Sequence, residues 1–153
     1  LIWWRDRAKA GGVSNVEAGL KVYADLIARY LRDDLAVVRL QVAQALVNTG
    51  FKLHSLQRDQ EAVAAYQRLL QVCGTDADPK IRSQCVRARV GLARAYGKLG
   101  QPQQQIEIYR FLLALPKKEL VIETHASLRA ELIRLEPART VVQKLLKWYH
   151  QKP

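Results

Sequence analysis

Six cations, Lys80, Arg82, Arg87, Arg89, Arg94 and Lys98, occur between positions 80 and 98 with no acid among them. Lys80, Arg87 and Arg94 are seven apart and Lys98 follows at four, so on a helix these four share one face. Arg82 and Arg89 form a shorter second row. No carboxylate four residues away in the same segment neutralises either row. Such a face suits carboxylate and phosphate ligands, to which a guanidinium offers paired N–H donors. A charged helix face is also what plain solvation requires, and residue type alone leaves both uses open.

Other chemistries have less support. Cys73 and Cys85 are twelve apart, no Cys-x-x-Cys pair exists, and His54, His125 and His150 are scattered, so zinc spacing is absent. The cysteines are expected as two free thiols, Cys85 in an apolar helix stripe and Cys73 at a helix end. Free thiols suit a reducing compartment, with the cytoplasm as default. His54 has no Ser, Cys or Asp at a spacing that suggests a catalytic triad. No Gly-rich phosphate loop, paired-carboxylate motif or nucleophile elbow appears. The expectation is a chain with no enzymatic activity, no cofactor and no metal.

The 153 residues suit one domain, and 49% hydrophobic content with 25% charged residues is a globular balance. There are 25 Lys plus Arg against 14 Asp plus Glu, a net charge of +11. The excess is lopsided. Residues 1–78 hold 10 basic and 9 acidic residues, whereas residues 79–153 hold 15 and 5. The sequence begins at Leu1 and contains no Met, as expected of a piece excised or processed from a longer chain. Leu1-Ile2-Trp3-Trp4-Arg5 has the flavour of a membrane-helix stub, but its few apolar residues fall far short of the ~20 needed to span a bilayer. No membrane insertion is expected.

The elements that must carry the basic face are helices. Ile81, Cys85, Ala88, Leu92, Ala95/Tyr96 and Leu99 recur at threes and fours, one buried stripe of about five turns. No alternating strand pattern occurs. Breaks fall at 32–34, 57–59, 74–79, 100–102, Pro116 and 136–137, each with turn or cap residues. Asp78 before Pro79 is an N-cap followed by proline at the first helical position.

The segments between breaks repeat. Tyr23, Tyr66 and Tyr109 each stand three residues before a Leu-Ile or Leu-Leu pair and are 43 apart. Leu56 and Leu99 precede their tyrosines by ten, and Leu53 and Tyr96 by thirteen. A period in this range signals stacked helix pairs, each unable to bury its apolar face alone.

On these residues the sequence resembles the tetratricopeptide repeats. Leu92-Ala93-x-x-Tyr96-x-x-Leu99-Gly100 is similar to the family's first-helix pattern, and Glu61-Ala62-x-x-x-Tyr66 to its second-helix pattern. Gly50 and Leu53 fill the first-helix slots one unit earlier, and Trp3 falls where the family prefers Trp. The period is 43 rather than the family's usual 34, and Gln105 stands where the second helix of the third unit should carry a small Ala. The resemblance implies an all-α, right-handed solenoid of antiparallel helix pairs, seven or eight helices in all. It would form a single domain over 1–153, with units at 1–31 (partial), 34–74, 77–115 and 118–151 (a divergent cap). Leu128, Leu132, Leu135 and Leu145 align the last unit, and Trp148 and Tyr149 are expected to seal its final helix.

The resemblance also implies that first helices line a concave groove. Carried over by position, the groove would present Asn48, Phe51 and His54 from the second unit and Arg87, Arg94 and Lys98 from the third. Ser127 and Arg134 would come from the fourth, and Gly91 and Ala130 would leave room for close approach. The implied function is a non-catalytic scaffold that binds an acidic peptide or protein segment. Some family members clamp a terminal carboxylate with five side chains. Asn48 and Arg87 match two of those slots, but Trp4, Ala8 and Gly91 occupy the others, so that clamp is not expected. The competing expectations are nucleic-acid binding through the basic row and self-association through an exposed apolar end.

Overall fold

The computed structural model describes residues 13–116 and 122–136, and all regular structure in them is helical. Six helices follow in order: α1 (Val13–Tyr30), α2 (Ala36–Ser55), α3 (Asp59–Cys73), α4 (Pro79–Lys98), α5 (Pro102–Ala114) and α6 (Ile122–Leu135). Trp3, Trp4, Ala8, Leu145, Trp148, Tyr149 and His150, and the remainder of the outer units, lie outside the described residues. No described helix is long and apolar enough to cross a membrane.

The helix ends follow from local chemistry. The Asp78 side chain accepts from the Lys80 N–H at 2.7 Å, and Pro79 opens α4 where its missing donor costs nothing. Pro102 likewise opens α5, where the residue before it, Gln101, makes no side-chain cap. Helices α2 and α4 stop alike. The Arg58 N–H reaches the Leu53 carbonyl and the Gln101 N–H the Tyr96 carbonyl, both at 2.9 Å. Each six-residue closure places one residue in left-handed backbone, Gln57 (φ 60°) and Gly100 (φ 69°). Those two positions are also 43 apart.

Each helix packs on its successor, and α2 additionally packs on α4. One core cluster joins α1 to α4 through Tyr23, Val42, Leu46, Tyr66, Leu69, Ile81, Cys85 and Leu92. A second joins α4, α5 and α6 through Ala93, Tyr109, Leu112 and Leu128. The stripe on α4 is buried as expected at Ile81, Cys85, Ala88, Leu92 and Ala95. Truncating one of the fully buried leucines to Ala would cost about 2–5 kcal/mol. Cys73 and Cys85 are free and buried, and the Cys85 thiol donates to the Cys73 carbonyl at 3.3 Å. Burial raises both thiol pKa values, that of Cys85 to about 11, so neither is a ready thiolate.

Tyr66 is the hinge-pin of the larger cluster. It is fully buried, and its ring lies against Gly50 of α2 and Gly91 of α4. This corrects one expectation. Gly91 does not open space for a ligand, because the ring that α3 sends across fills it. A side chain at Gly91 would start 2.4 Å from the Tyr66 Cζ.

Charged tethers at the periphery connect non-neighbouring segments. The Arg39 Nε of α2 donates to Asp76 before α4 at 3.1 Å. Arg58 holds Glu61 through two N–H groups at 2.6 Å and Glu17 of α1 at 3.0 Å. Arg110 of α5 reaches Glu136 at 2.7 Å. The exposed Arg58 pairs fix geometry more than they stabilise, whereas the carboxylates of Asp76 and Glu136 are largely covered.

Candidate functional site

A cleft of about 760 Å³ opens between α4 and α6, with α5 as its floor and the end of α2 at its rim. The α4 wall carries Val90, Arg94, Gly97 and Lys98. The facing wall on α6 carries Ser127, Leu128, Glu131 and Arg134, and the floor is Gln105 and Tyr109. His54 completes the rim from α2.

The charges inside are unevenly matched. Arg134 donates to Glu131, one turn away on its own helix, at 2.6 Å. The His54 Nδ1 is in contact with the Asp59 carboxylate, which the start of α3 supplies. Thus His54 does have an acidic partner, five residues on, at a spacing that carries no triad signature. Ser127 lines the same cleft, but no hydrogen bond joins it to His54, so the pair has no nucleophile attached among the described residues. Arg94 and Lys98 are exposed and have no carboxylate partner among the described residues. The fixed charge facing the cleft is therefore net positive.

The floor is polar although it is buried. Gln105 is 7% exposed and Tyr109 4%, and the Gln105 Nε2 donates to the Tyr109 hydroxyl at 3.1 Å. Gly97 makes this possible, since a Cβ there would lie 2.8 Å from the Gln105 Nε2.

The six residues singled out by sequence divide into three groups. His54, Arg94 and Lys98 meet in the cleft. Arg87 and Phe51 form a separate stack. The Arg87 guanidinium lies 5.6 Å from the Phe51 ring centre and donates to Gln84 at 3.0 Å, while Phe51 packs edge-on against Tyr66 at 5.9 Å. Both Arg87 and Phe51 are thus engaged in holding α2 to α4. Asn48 sits against the Tyr23 hydroxyl, where its side chain offsets part of the rise in Tyr23 pKa that burial causes. The second basic row turns to another face, with Arg89 stacked 4.5 Å over Phe111 of α5.

Sequence reasoning missed Tyr109 and Gln105 as site residues. The signal for Gln105 was present, as a polar residue in a slot where Ala62 stands one repeat earlier. A smaller hollow of about 340 Å³ lies between the starts of α2 and α4, lined by Leu40, Gln44, Pro79, Lys80, Ser83 and Gln84. Among the described residues no three His, Cys, Asp or Glu side chains converge as a metal ion would need. Comparison of the chain with known family models, curated proteins and solved structures finds no match in any of the three.

Proposed function

We propose that the chain is a non-catalytic interaction module of tetratricopeptide type, a right-handed solenoid of antiparallel helix pairs, whose α4–α6 cleft binds an acidic segment of another protein. The observation that carries this is the pair Arg94 and Lys98, exposed on one wall of a roomy cleft and without a carboxylate partner among the described residues. A ligand carboxylate supplies what the fold does not. Arg94 and Lys98 together set the field that steers an acidic segment in and orients it. Arg87 is exposed but lies outside the cleft, stacked on Phe51 and bonded to Gln84, so this reading rests on Arg94 and Lys98.

The test is fluorescence anisotropy with labelled acetyl-hexaglutamate amide, beside an uncharged hexaglutamine control. Binding should favour the acidic peptide, weaken with salt, and vanish in Arg94→Glu/Lys98→Glu with far-ultraviolet circular dichroism unchanged. Equal binding by that variant and the wild type would refute the cleft. Stronger binding of a single-stranded oligonucleotide than of the peptide would transfer the same cations to nucleic acid.

A further inference from the structure

Positions 62 and 105, 66 and 109, and 54 and 97 are each 43 apart, yet the two sets build different interiors. On α3, Ala62 and Tyr66 are both fully buried, and the Tyr66 hydroxyl has no hydrogen-bond partner. On α5 the small residue is replaced by Gln105, and the large one at the end of the preceding helix by Gly97. The exchange admits a carboxamide into a seam that is otherwise apolar. Burying an amide is costly unless its donors and acceptors are used.

Only part of that capacity is used within the chain. The Gln105 Nε2 is bonded to the Tyr109 oxygen. That oxygen acts as acceptor, so the hydroxyl hydrogen remains free to donate. The Gln105 Oε1 receives no donor among the described residues. Both side chains line the cleft. The floor therefore offers one acceptor and one donor side by side, below the two cations Arg94 and Lys98.

We infer that Gln105 and Tyr109 hold the main chain of one extended ligand residue, whose N–H donates to the Gln105 Oε1 and whose C=O accepts from the Tyr109 hydroxyl. The N–H and C=O of one residue in an extended chain point to the same side and so present that donor and acceptor together. A carboxylate or a phosphodiester carries acceptors alone and would leave the Gln105 oxygen unmatched. The inference rests on the acidic-segment reading of this cleft and refines it. The cations choose acidic side chains, and the floor demands that they hang on a peptide backbone.

The experiment compares acetyl-hexaglutamate amide with the same peptide N-methylated at alternate peptide nitrogens, at equal charge. Wild type should prefer the unmethylated peptide about 5- to 10-fold, the value of one net hydrogen bond. Gln105→Ala should lose that preference, and it should fold, because Ala fills the matching slot on α3. Tyr109→Phe should weaken binding of both peptides by removing the donor to the carbonyl. Gly97→Ala should lower the preference by displacing a Gln105 amide that is still present. Inorganic polyphosphate should bind Gln105→Ala and wild type alike. An unchanged preference in Gln105→Ala, with both peptides lost in Arg94→Glu/Lys98→Glu, would overturn the inference and leave the acidic-segment reading standing. Failure of wild type to bind hexaglutamate at all would overturn both.

Discussion

Replacing Gly91 by Ala pits two effects against each other. Gly91 lies inside α4, where Ala is the better helix former by about 1 kcal/mol. Propensity alone therefore predicts a more stable protein. Packing predicts the reverse. The added Cβ would lie 2.4 Å from the Tyr66 Cζ, 2.5 Å from its hydroxyl oxygen and 2.9 Å from its Cε2. The ring has little freedom to retreat, because Gly50 of α2 sits against its other edge, with a Cβ position 2.3 Å from Cε1. Overpacking of a filled core costs about 1–3 kcal/mol, and contacts this short belong at the upper end. The net expectation is a loss of about 2 kcal/mol, equivalent to a melting temperature lower by about 4–8 °C for a chain of this size. Thermal and urea unfolding followed at 222 nm would measure it. Tyr66→Phe supplies the internal check. It removes the closest polar contact and an unpartnered buried hydroxyl, whose desolvation costs about 1–3 kcal/mol. That variant alone should be at least as stable as wild type, and Gly91→Ala should cost less in its background than in the parent. A melting temperature that rises in Gly91→Ala would refute the packing argument outright.

Two further outcomes follow from the same structure. Burial pushes the Tyr66 pKa up to about 12, opposed by the nearby Arg94 and Arg87 charges and reinforced by Asp59. The raised pKa means that the folded state holds its proton longer than the unfolded chain, which releases it near 10. The resulting stability is complete below about pH 10 and lost as pH rises toward 12, at up to about 1.4 kcal/mol per pH unit. Difference absorbance at 295 nm should show a late tyrosine titration that is missing in Tyr66→Phe, and a wild-type phenol set that titrates wholly near 10 would contradict it. At the end of α2, Gln57 occupies left-handed backbone that only glycine adopts freely. Relief of that strain, about 1–2 kcal/mol, exceeds the extra entropy glycine loses on folding, so Gln57→Gly should raise the unfolding free energy by a net ~0.5–1 kcal/mol, read as a higher urea midpoint. A lower midpoint would show that the Gln57 side chain contributes more than its backbone costs.

Much of the helical layout was legible because helix ends are written locally. Asp78-Pro79 and Gly100-Gln101-Pro102 state where α4 starts and stops, and neither needs a distant neighbour. Gln57 was harder, since the break around it was visible but its left-handed backbone gave no glycine to announce it. What single-helix periodicity cannot tell is which neighbour reaches into a given slot. Gly91 looked like free space because nothing on α4 fills it, and the residue that does fill it, Tyr66, comes from α3. The same limit divided the candidate site. Arg87 and Arg94 share a helix face by spacing, yet Phe51 of α2 takes Arg87, while Arg94 faces the cleft. Gln105 stood out as a polar residue in a small-residue slot. Its consequence depended on Gly97, a residue on another helix whose importance lies in what it lacks.

The three buried tyrosines show why chemistry gathers at one end of the chain. Positions 48, 91 and 134 each fall 25 residues beyond a tyrosine of the 43-residue series. Asn48 meets the Tyr23 hydroxyl with an amide. Gly91 meets that of Tyr66 with bare backbone and leaves it unpartnered. Arg134 shares an open cleft with Tyr109, whose hydroxyl is met from below by Gln105. A buried hydroxyl must find a partner or carry a penalty, so these three solutions have different uses. The first closes a polar contact within the stack. The second accepts the penalty in exchange for a close approach of α2 and α4. The third leaves hydrogen-bonding capacity facing a cleft, in the half of the chain where 15 cations outnumber 5 acids. Charge asymmetry alone would fit a solvated surface. Charge asymmetry above an amide–phenol pair that lines a cleft with hydrogen-bonding capacity to spare is the arrangement on which the proposed binding of an acidic segment rests.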